Sequence, residues 1–288
     1  MEEIMKFTIA ALALTFLFAG CTPPKAAEED TCTSTVVVGT CPTSNVGYGV
    51  DYQGKLVCFS LSTPQTLAAS TVITGLTVGD VITQLDFRPA NSVLYALGAS
   101  GQLYTLNTST AVATAVGTPM ALTGTPNLVM DINPEVDRIR LVTDANENRR
   151  YNPATGALVA TDTALAYNVS DLNAGSTPAI SALAYSNNVA SGTPTVLYGI
   201  DSGLRTLVTI DPANAGTVNT VAALGFTPSD ISGFDIRTAA SVDSAYAIAL
   251  WGALGMRSAL YTVNLSNGAS TQVGTIGGCR IWGFAVGL

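Results

Sequence analysis

The chain has 288 residues, of which 12 are Lys or Arg and 20 are Asp or Glu, giving a formal net charge of −8. This acidic balance argues against nucleic-acid binding, because a phosphate backbone is bound by clustered basic side chains. The sequence contains no histidine, which excludes Ser–His and Cys–His nucleophile pairs and every His-ligated metal site.

Residues 1–20 are typical of an export signal. Lys6 precedes an apolar run over residues 7–20, which has the length of a signal-peptide core and is too short to span a bilayer. The run ends in LFAGC, which resembles the bacterial lipobox, where a Cys is lipidated and becomes the mature N-terminus. We therefore expect Cys21 to be lipidated, with an ordinary secretory signal and an incidental Cys as the alternative. Translation from Met5 instead of Met1 is a further alternative.

Residues 21–45 are predicted to be the lipidated Cys and a tether. The stretch TPPKAAEED at residues 22–30 is polar and contains proline, so it has little to bury. Thr22 directly after the Cys favours the outer membrane. We expect an exported protein of the bacterial cell envelope, bound to the membrane through its lipid anchor alone.

Cysteine usage supports export. Besides Cys21 the sequence has an even number of cysteines, as expected for disulfide bonds in an oxidising compartment: Cys32, Cys41, Cys58 and Cys279. Their spacing does not select among the three pairings. Because only Cys279 lies late in the chain, at least one bond is expected to tie the two ends of the domain together.

Residues 46–288 repeat a short strand motif, which predicts the fold. The motif centres are Asp86, Asp131, Ala184, Asp235 and Ala285, at spacings of 45, 53, 51 and 50 residues. After each of the first four centres come further short strands and turns rich in Gly, Asn, Asp and Ser. The period and the strand count are typical of a β-propeller with four antiparallel strands per blade. A β-sandwich or an open solenoid is the alternative.

The two ends of this region complement each other. Residues 281–286 form a lone inner strand, and residues 47–50, 56–61 and 69–73 supply a second, third and fourth strand. The sequence therefore predicts an all-β, five-bladed β-propeller, closed by pairing of the C-terminal strand with the N-terminal half-blade.

One stretch carries a family resemblance. The stretch reads DINPEVDRIRLV at residues 131–142 and continues with NRRYNPATG at residues 148–156. It resembles a bacterial exported family catalogued as domain of unknown function 4394. The similarity runs from about residue 46 to residue 288. It implies an exported, propeller-like module and implies no activity.

Three carboxylates occupy equivalent positions in inner strands: Asp86, Asp131 and Asp235. As a functional cluster they would bind a metal or act as acid and nucleophile on a sugar. The favoured interpretation is structural, with each carboxylate accepting hydrogen bonds from backbone N–H groups of its own or the next blade.

Other candidate residues are weaker. Asp144, Asn146 and Asn148 have the spacing that begins a calcium loop, but a hairpin turn is favoured because Arg149 and Thr155 replace the Gly and Glu of such a loop.

The candidate ligand-binding residues are Arg138, Arg140, Arg149 and Trp251. The arginines would bind an acidic ligand or, in the favoured interpretation, pair with Asp131, Asp137 or Glu135. Trp282 is predicted to lie in the core.

The leading hypothesis is an envelope-tethered, non-catalytic and monomeric binding or scaffold module without a cofactor, whose partner is a protein or polysaccharide of the envelope. The alternative is a carboxylate-based hydrolase or lactonase with a bound Ca²⁺. The fold itself does not decide between them, because propellers host both binding and catalysis.

Overall fold

The computed structural model describes residues 39–121, 127–190, 194–227, 233–251, 257–278 and 280–288. The expected signal peptide, Cys21, Cys32 and Cys279 lie outside these residues. No helix within the described ranges is long and apolar enough to cross a membrane.

The described residues form twenty-one strands and one short 3-10 helix, Ala213–Ala215. In chain order the strands are β1 (Val46–Asp51), β2 (Lys55–Ser60), β3 (Thr63–Val72), β4 (Ile82–Arg88), β5 (Val93–Gly98), β6 (Leu103–Leu106), β7 (Ala113–Val116), β8 (Leu128–Asn133), β9 (Arg138–Thr143), β10 (Asn148–Tyr151), β11 (Leu158–Thr161), β12 (Ala166–Tyr167), β13 (Ile180–Tyr185), β14 (Leu197–Asp201), β15 (Thr206–Ile210), β16 (Thr217–Ala223), β17 (Gly233–Ala239), β18 (Val242–Trp251), β19 (Arg257–Val263), β20 (Ser270–Thr275) and β21 (Ile281–Val286).

The strands make five sheets, which are the blades of a five-bladed β-propeller. From the inner strand outward, the blades are β21-β1-β2-β3, β4-β5-β6-β7, β8-β9-β10-β11, β13-β14-β15-β16-β12 and β17-β18-β19-β20. We number the blades one to five in this order. Each inner strand contacts the inner strands of both neighbouring blades. The predicted architecture is confirmed.

The ring closes through β21 and β1. They pair antiparallel, with Gly47 opposite Val286 and Val50 opposite Gly283. The last strand therefore supplies the inner strand of the first blade, as the sequence predicts. Phe284 of β21 stacks on Phe59 of β2 at a centroid distance of 6.3 Å, which adds apolar contact to the ladder.

The fourth blade departs from the four-strand pattern. β12 pairs parallel to β16 and adds a fifth strand at its outer edge. The hydroxyl of Tyr167 in β12 donates to Asp201 Oδ2 over 2.7 Å. This buried hydrogen bond anchors the long connection between blades three and four.

The apolar core lies between the blades. Each of five large buried clusters joins side chains of two neighbouring blades. Tyr48 of blade one, for example, packs edge-to-face on Phe87 of blade two at 5.3 Å. Because removing apolar surface from water drives packing, these interfaces hold the blades side by side.

A disulfide bond joins Cys41 to Cys58 over a separation of 17 residues. Cys58 lies in β2 and is buried. The bond therefore attaches the chain before β1 to the first blade. It involves two of the predicted cysteines, and neither is near the C-terminus.

Candidate functional site

Three carboxylates meet where the inner strands surround the propeller axis. Asp86 lies in β4, Asp131 in β8 and Asp235 in β17. One oxygen from each lies within 4.8 Å of one from each of the others, and the residues are only 2%, 4% and 2% exposed. We call them the axial triad. The repeat therefore brings together the residues predicted from its equivalent positions.

Each triad carboxylate accepts a hydrogen bond from the next blade. Asp86 Oδ2 accepts from the N–H of Ile132 over 2.6 Å, and Asp131 Oδ1 from that of Tyr185 over 2.9 Å. Asp235 Oδ2 accepts from the N–H of Val286 over 2.5 Å. In every case the donor follows the equivalent motif position of the next inner strand. These are the inter-blade hydrogen bonds that the structural interpretation predicts.

The remaining triad oxygens differ. Asp235 Oδ1 accepts from the N–H of Ile236 over 2.6 Å. Asp86 Oδ1 is buried and makes no hydrogen bond of normal geometry among the described residues, although the backbone N–H of Phe87, like that of Ile132, lowers the pKa of Asp86. A buried acceptor without a well-formed hydrogen bond is costly, so this oxygen has capacity for a further partner.

The surroundings of the triad disfavour three negative charges. Burial, followed by the charges of Asp131 and Asp235, raises the pKa of Asp86 well above its ordinary value. Burial, followed by the charge of Asp235, does the same to the pKa of Asp131. Burial raises the pKa of Asp235 to about 7. The triad is thus suited to hold a proton or a cation. Its carboxylate oxygens are the atoms of this site that could ligate a metal.

A second polar site lies between blades three and four. It is a groove of about 470 Å³, lined among others by Glu135, Arg138, Arg140, Arg150, Asp211 and Asn214. We call it the blade 3–4 groove. It brings together two of the arginines predicted as ligand-binding residues.

Arg140 is held firmly in this groove, with its side chain 3% exposed. Its guanidinium donates to Asp162 Oδ2 over 2.6 Å, Asn148 Oδ1 over 2.7 Å, Asn214 Oδ1 over 2.7 Å and Tyr185 Oη over 3.2 Å. All of its nitrogens are therefore engaged in shaping the floor of the groove.

The arginines do not pair with the predicted acids. Arg140 and Arg150 share Asp162, and Asp137 pairs with Arg88 of the second blade. The sequence gives no signal for Asp162, because a single Asp after an outer strand has no motif and its partners come from other strands. The predicted pairings with Asp131, Asp137 and Glu135 are wrong for this reason.

Arg138 and Arg149 have different surroundings. Arg138 donates to the backbone carbonyls of Val136 and Asp137 and forms no salt bridge among the described residues. Arg149 donates to the carbonyl of Ala121 and pairs with Glu147. Only Arg138 of these two lines the groove.

The calcium-loop spacing falls on a hairpin turn between β9 and β10. Asn146 has a positive φ of 60°. The Asn148 side chain is buried, donates to the carbonyls of Thr163 and Ala213, and accepts from Arg140. Its oxygen is therefore engaged by a guanidinium, as in the favoured hairpin interpretation.

The tryptophans add little to the site. The side chain of Trp251 lies outside the described part of the chain. Trp282 is only partly buried, with the guanidinium of Arg280 lying 4.2 Å from its ring centroid. The prediction of a core Trp282 is wrong: its ring, at the beginning of β21, is partly exposed and lies against Arg280, whereas Phe284 on the same face of the strand is buried.

A sequence model of the family described as domain of unknown function (DUF4394) matches residues 55–285. No curated protein sequence matches the chain. Among solved structures, one similar chain is a structural genomics protein of unknown function from Bacteroides thetaiotaomicron, with a TM-score of 0.51 and 13% identity. The match covers 70% of this chain and 53% of that one, so the chain spans about half its length. At this identity the likeness concerns the fold alone.

Two further structures are similar at lower scores. A chain of a nidogen/laminin complex has a TM-score of 0.42 at 13% identity, covering 84% of this chain and 98% of that chain. The glutaminyl cyclase of Myxococcus xanthus has a TM-score of 0.41 at 16% identity, covering 80% of this chain and 83% of that chain. Neither score supports a functional inference.

Proposed function

The chain belongs to the family called domain of unknown function 4394, and from that premise we propose that it is a non-catalytic binding module of the cell envelope. The observation that carries this proposal is the burial of the axial triad. Each carboxylate already accepts a backbone hydrogen bond. A general acid or nucleophile must come within hydrogen-bond reach of its substrate, and these side chains are 4% exposed or less.

The ligand surface is the blade 3–4 groove. It is concave and combines donors on Arg138 with acceptors on Glu135 and Asp211, and such convergent polar groups are typical of ligand sites. Two acidic side chains line the groove beside three arginines, and two of those arginines already pair with Asp162. Because little net charge remains, the groove suits a ligand rich in hydroxyl groups. Of the two expected partner classes, we therefore propose a polysaccharide.

Arg138 provides the sharpest test of this surface. Because its hydrogen bonds go only to nearby backbone carbonyls, Arg138→Ala should leave the fold intact. We expect it to weaken binding to isolated envelope polysaccharide about tenfold or more, since a hydrogen bond to a charged group contributes about 1.5–3 kcal/mol. Arg205→Ala is the matched control, because Arg205 is exposed and lies outside the groove.

The binding assay is affinity electrophoresis through gels containing the polysaccharide. Equal retardation of both variants and the unaltered protein would reject the groove. Release of reducing ends from the polysaccharide, lost in Asp131→Asn, would instead support the carboxylate-based hydrolase.

Export and anchoring complete the proposal. The lipobox-like LFAGC sequence supports a lipid on Cys21. The Cys41–Cys58 disulfide supports an oxidising compartment, where such bonds persist. The module would then act at the membrane surface as a tethered monomer.

A further inference from the structure

We propose that the axial triad binds one Ca²⁺ ion, which links the second, third and fifth blades at the centre of the propeller. The proposal concerns the axis and is independent of the groove and its ligand. It rests on three observations: the spacing of the carboxylates, the lack of a salt bridge to any of them among the described residues, and one buried oxygen that makes no hydrogen bond of normal geometry there.

The spacing suits a shared ion. Ca²⁺ is held by oxygen ligands at about 2.3–2.6 Å, so oxygens on opposite sides of one ion are about 5 Å apart. The triad oxygens lie within 4.8 Å of one another. One ion between them therefore contacts a ligand from each of three blades.

Three ionised carboxylates at the axis would require a positive counterpart. None of the four salt bridges among the described residues involves Asp86, Asp131 or Asp235. Buried carboxylates are paired, coordinate a metal or take up a proton, because an isolated buried carboxylate charge is strongly destabilising. A divalent cation supplies the missing positive charge without needing space for a basic side chain.

The surroundings of Asp86 Oδ1 are the strongest evidence for the proposed ion. The other carboxylate oxygen, Oδ2, accepts from the N–H of Ile132 over 2.6 Å, while Oδ1 is buried and makes no hydrogen bond of normal geometry in the described part of the chain. Asp131 is oriented in the same way through Oδ1, which accepts from Tyr185. The backbone of the next blade thus holds each carboxylate in place, and Asp86 Oδ1 is the triad oxygen that we propose as a ligand of the cation.

The donor set favours calcium over other metals. Softer metals are bound through His or Cys, but the sequence has no histidine, and Cys41 and Cys58 are joined to each other. Mg²⁺ requires shorter bonds of about 2.0–2.1 Å and retains most of its water. Ca²⁺ accepts a larger and less regular oxygen shell, in which water would supply the ligands that the triad does not.

The test uses the full chain in detergent, dialysed against EDTA and then titrated with CaCl₂. We expect calorimetry to give one site per chain. At 100-fold excess over Kd, the melting temperature should rise by about 5–10 °C, because a ligand that binds only the folded state stabilises it.

The Asp86→Asn variant is designed to remove ion binding while keeping the fold. The Asn oxygen can still accept from Ile132, while a neutral amide replaces the available oxygen. We expect this variant to fold and to lose at least nine-tenths of the calcium-dependent rise in melting temperature. Asp131→Asn is the second variant of this kind and should behave in the same way.

Asp51→Asn is the matched control. Asp51 is a buried carboxylate of β1 that accepts from the N–H groups of Gln53 and Lys55 through one oxygen, and it is not part of the triad. This control should keep the full response to calcium. The proposal is overturned if calcium neither binds nor stabilises the unaltered protein, if Mg²⁺ stabilises it more than Ca²⁺, or if Asp86→Asn responds like Asp51→Asn.

Discussion

Arg88 of the second blade and Asp137 of the third form an ion pair across the boundary between the blades. Arg88 Nε lies 2.7 Å from Asp137 Oδ1, and Nη2 lies 2.5 Å from Oδ2. Two parallel hydrogen bonds match the planar guanidinium to the carboxylate. The side chains are 16% and 35% exposed, so solvent and salt screen the pair.

Asp137→Asn should lower the free energy of unfolding by about 0.5–1 kcal/mol, the range for partly exposed ion pairs. The loss should shrink in high salt, because salt screens exposed charges. Urea unfolding in low and high salt measures both effects. Glu135→Gln, a change in the same turn that breaks no salt bridge of the described residues, is the control. An equal loss in that control would contradict the prediction.

Asp162 should make stability depend on acid pH. Burial raises the pKa of Asp162, but hydrogen bonds from Arg150 and Arg140 outweigh it and bring the pKa below the ordinary 3.8. Because the folded-state pKa is depressed, this stabilisation is fully present above the unfolded value and is lost as the pH falls through the folded value.

Asp162→Asn should therefore be less stable at pH 7 by about 3–5 kcal/mol, because buried Arg140 loses its counter-charge. The difference from the unaltered protein should narrow as the pH falls below the ordinary pKa of 3.8. Urea unfolding over a pH series measures it. A constant difference at every pH would show that Asp162 acts only through packing.

Gly233 lies where blades five and one meet. A Cβ at this position would lie 2.5 Å from Phe284 Cβ and 2.6 Å from Ile248 Cγ1, and neither neighbour is the end of a flexible side chain. We expect Gly233→Ala to lower stability by about 1–3 kcal/mol through overpacking. In Gly225→Ala the nearest atom is 3.4 Å away, so that control should change the melting temperature little.

Truncation after Arg280 should abolish cooperative folding. It removes β21, which forms the inner edge of the first blade and buries Phe284. Losing one large buried aromatic costs about 3–5 kcal/mol, against a total stability of about 5–15 kcal/mol. Thermal unfolding followed by circular dichroism measures the outcome, with removal of exposed Leu288 alone as the control. A soluble truncated protein with an unchanged transition would mean that β21 is dispensable for the ring.

Cys21→Ser should release the protein from the membrane fraction while leaving its melting temperature unchanged. The reason is that acyl chains contribute about 0.8 kcal/mol for each buried CH₂ group. Fractionation of cells that express both forms measures the release. Sedimentation of the variant with membranes would show that Cys21 is not the anchor.

The sequence predicts the blades well because the inner strands repeat at nearly constant spacing. It misses the length of β3, which begins at Thr63 and includes Pro64, where the prediction begins at residue 69. Proline is rare within strands but tolerated at an edge, and β3 is the outermost strand of its blade. β12 is missed because two residues, Ala166 and Tyr167, carry no periodic signal.

The two candidate sites also differ in how far the sequence predicts them. The axial triad is predictable because Asp86, Asp131 and Asp235 occupy equivalent repeat positions, and symmetry brings them together. The network of the groove is not predictable, because Arg140 reaches Asp162 and Asn214, which lie 22 and 74 residues away in sequence. Such contacts depend on the packing of neighbouring blades and leave no pattern in the chain.

The Cys41–Cys58 bond also determines how the fold carries mechanical load. A pull on the chain from before Cys41 passes through the disulfide directly to β2 at Cys58. The residues between the two cysteines, including all of β1, form a covalently closed loop that this pull cannot extend. The ladder between β1 and β21, on which ring closure depends, is thereby shielded from being peeled apart residue by residue from its N-terminal side.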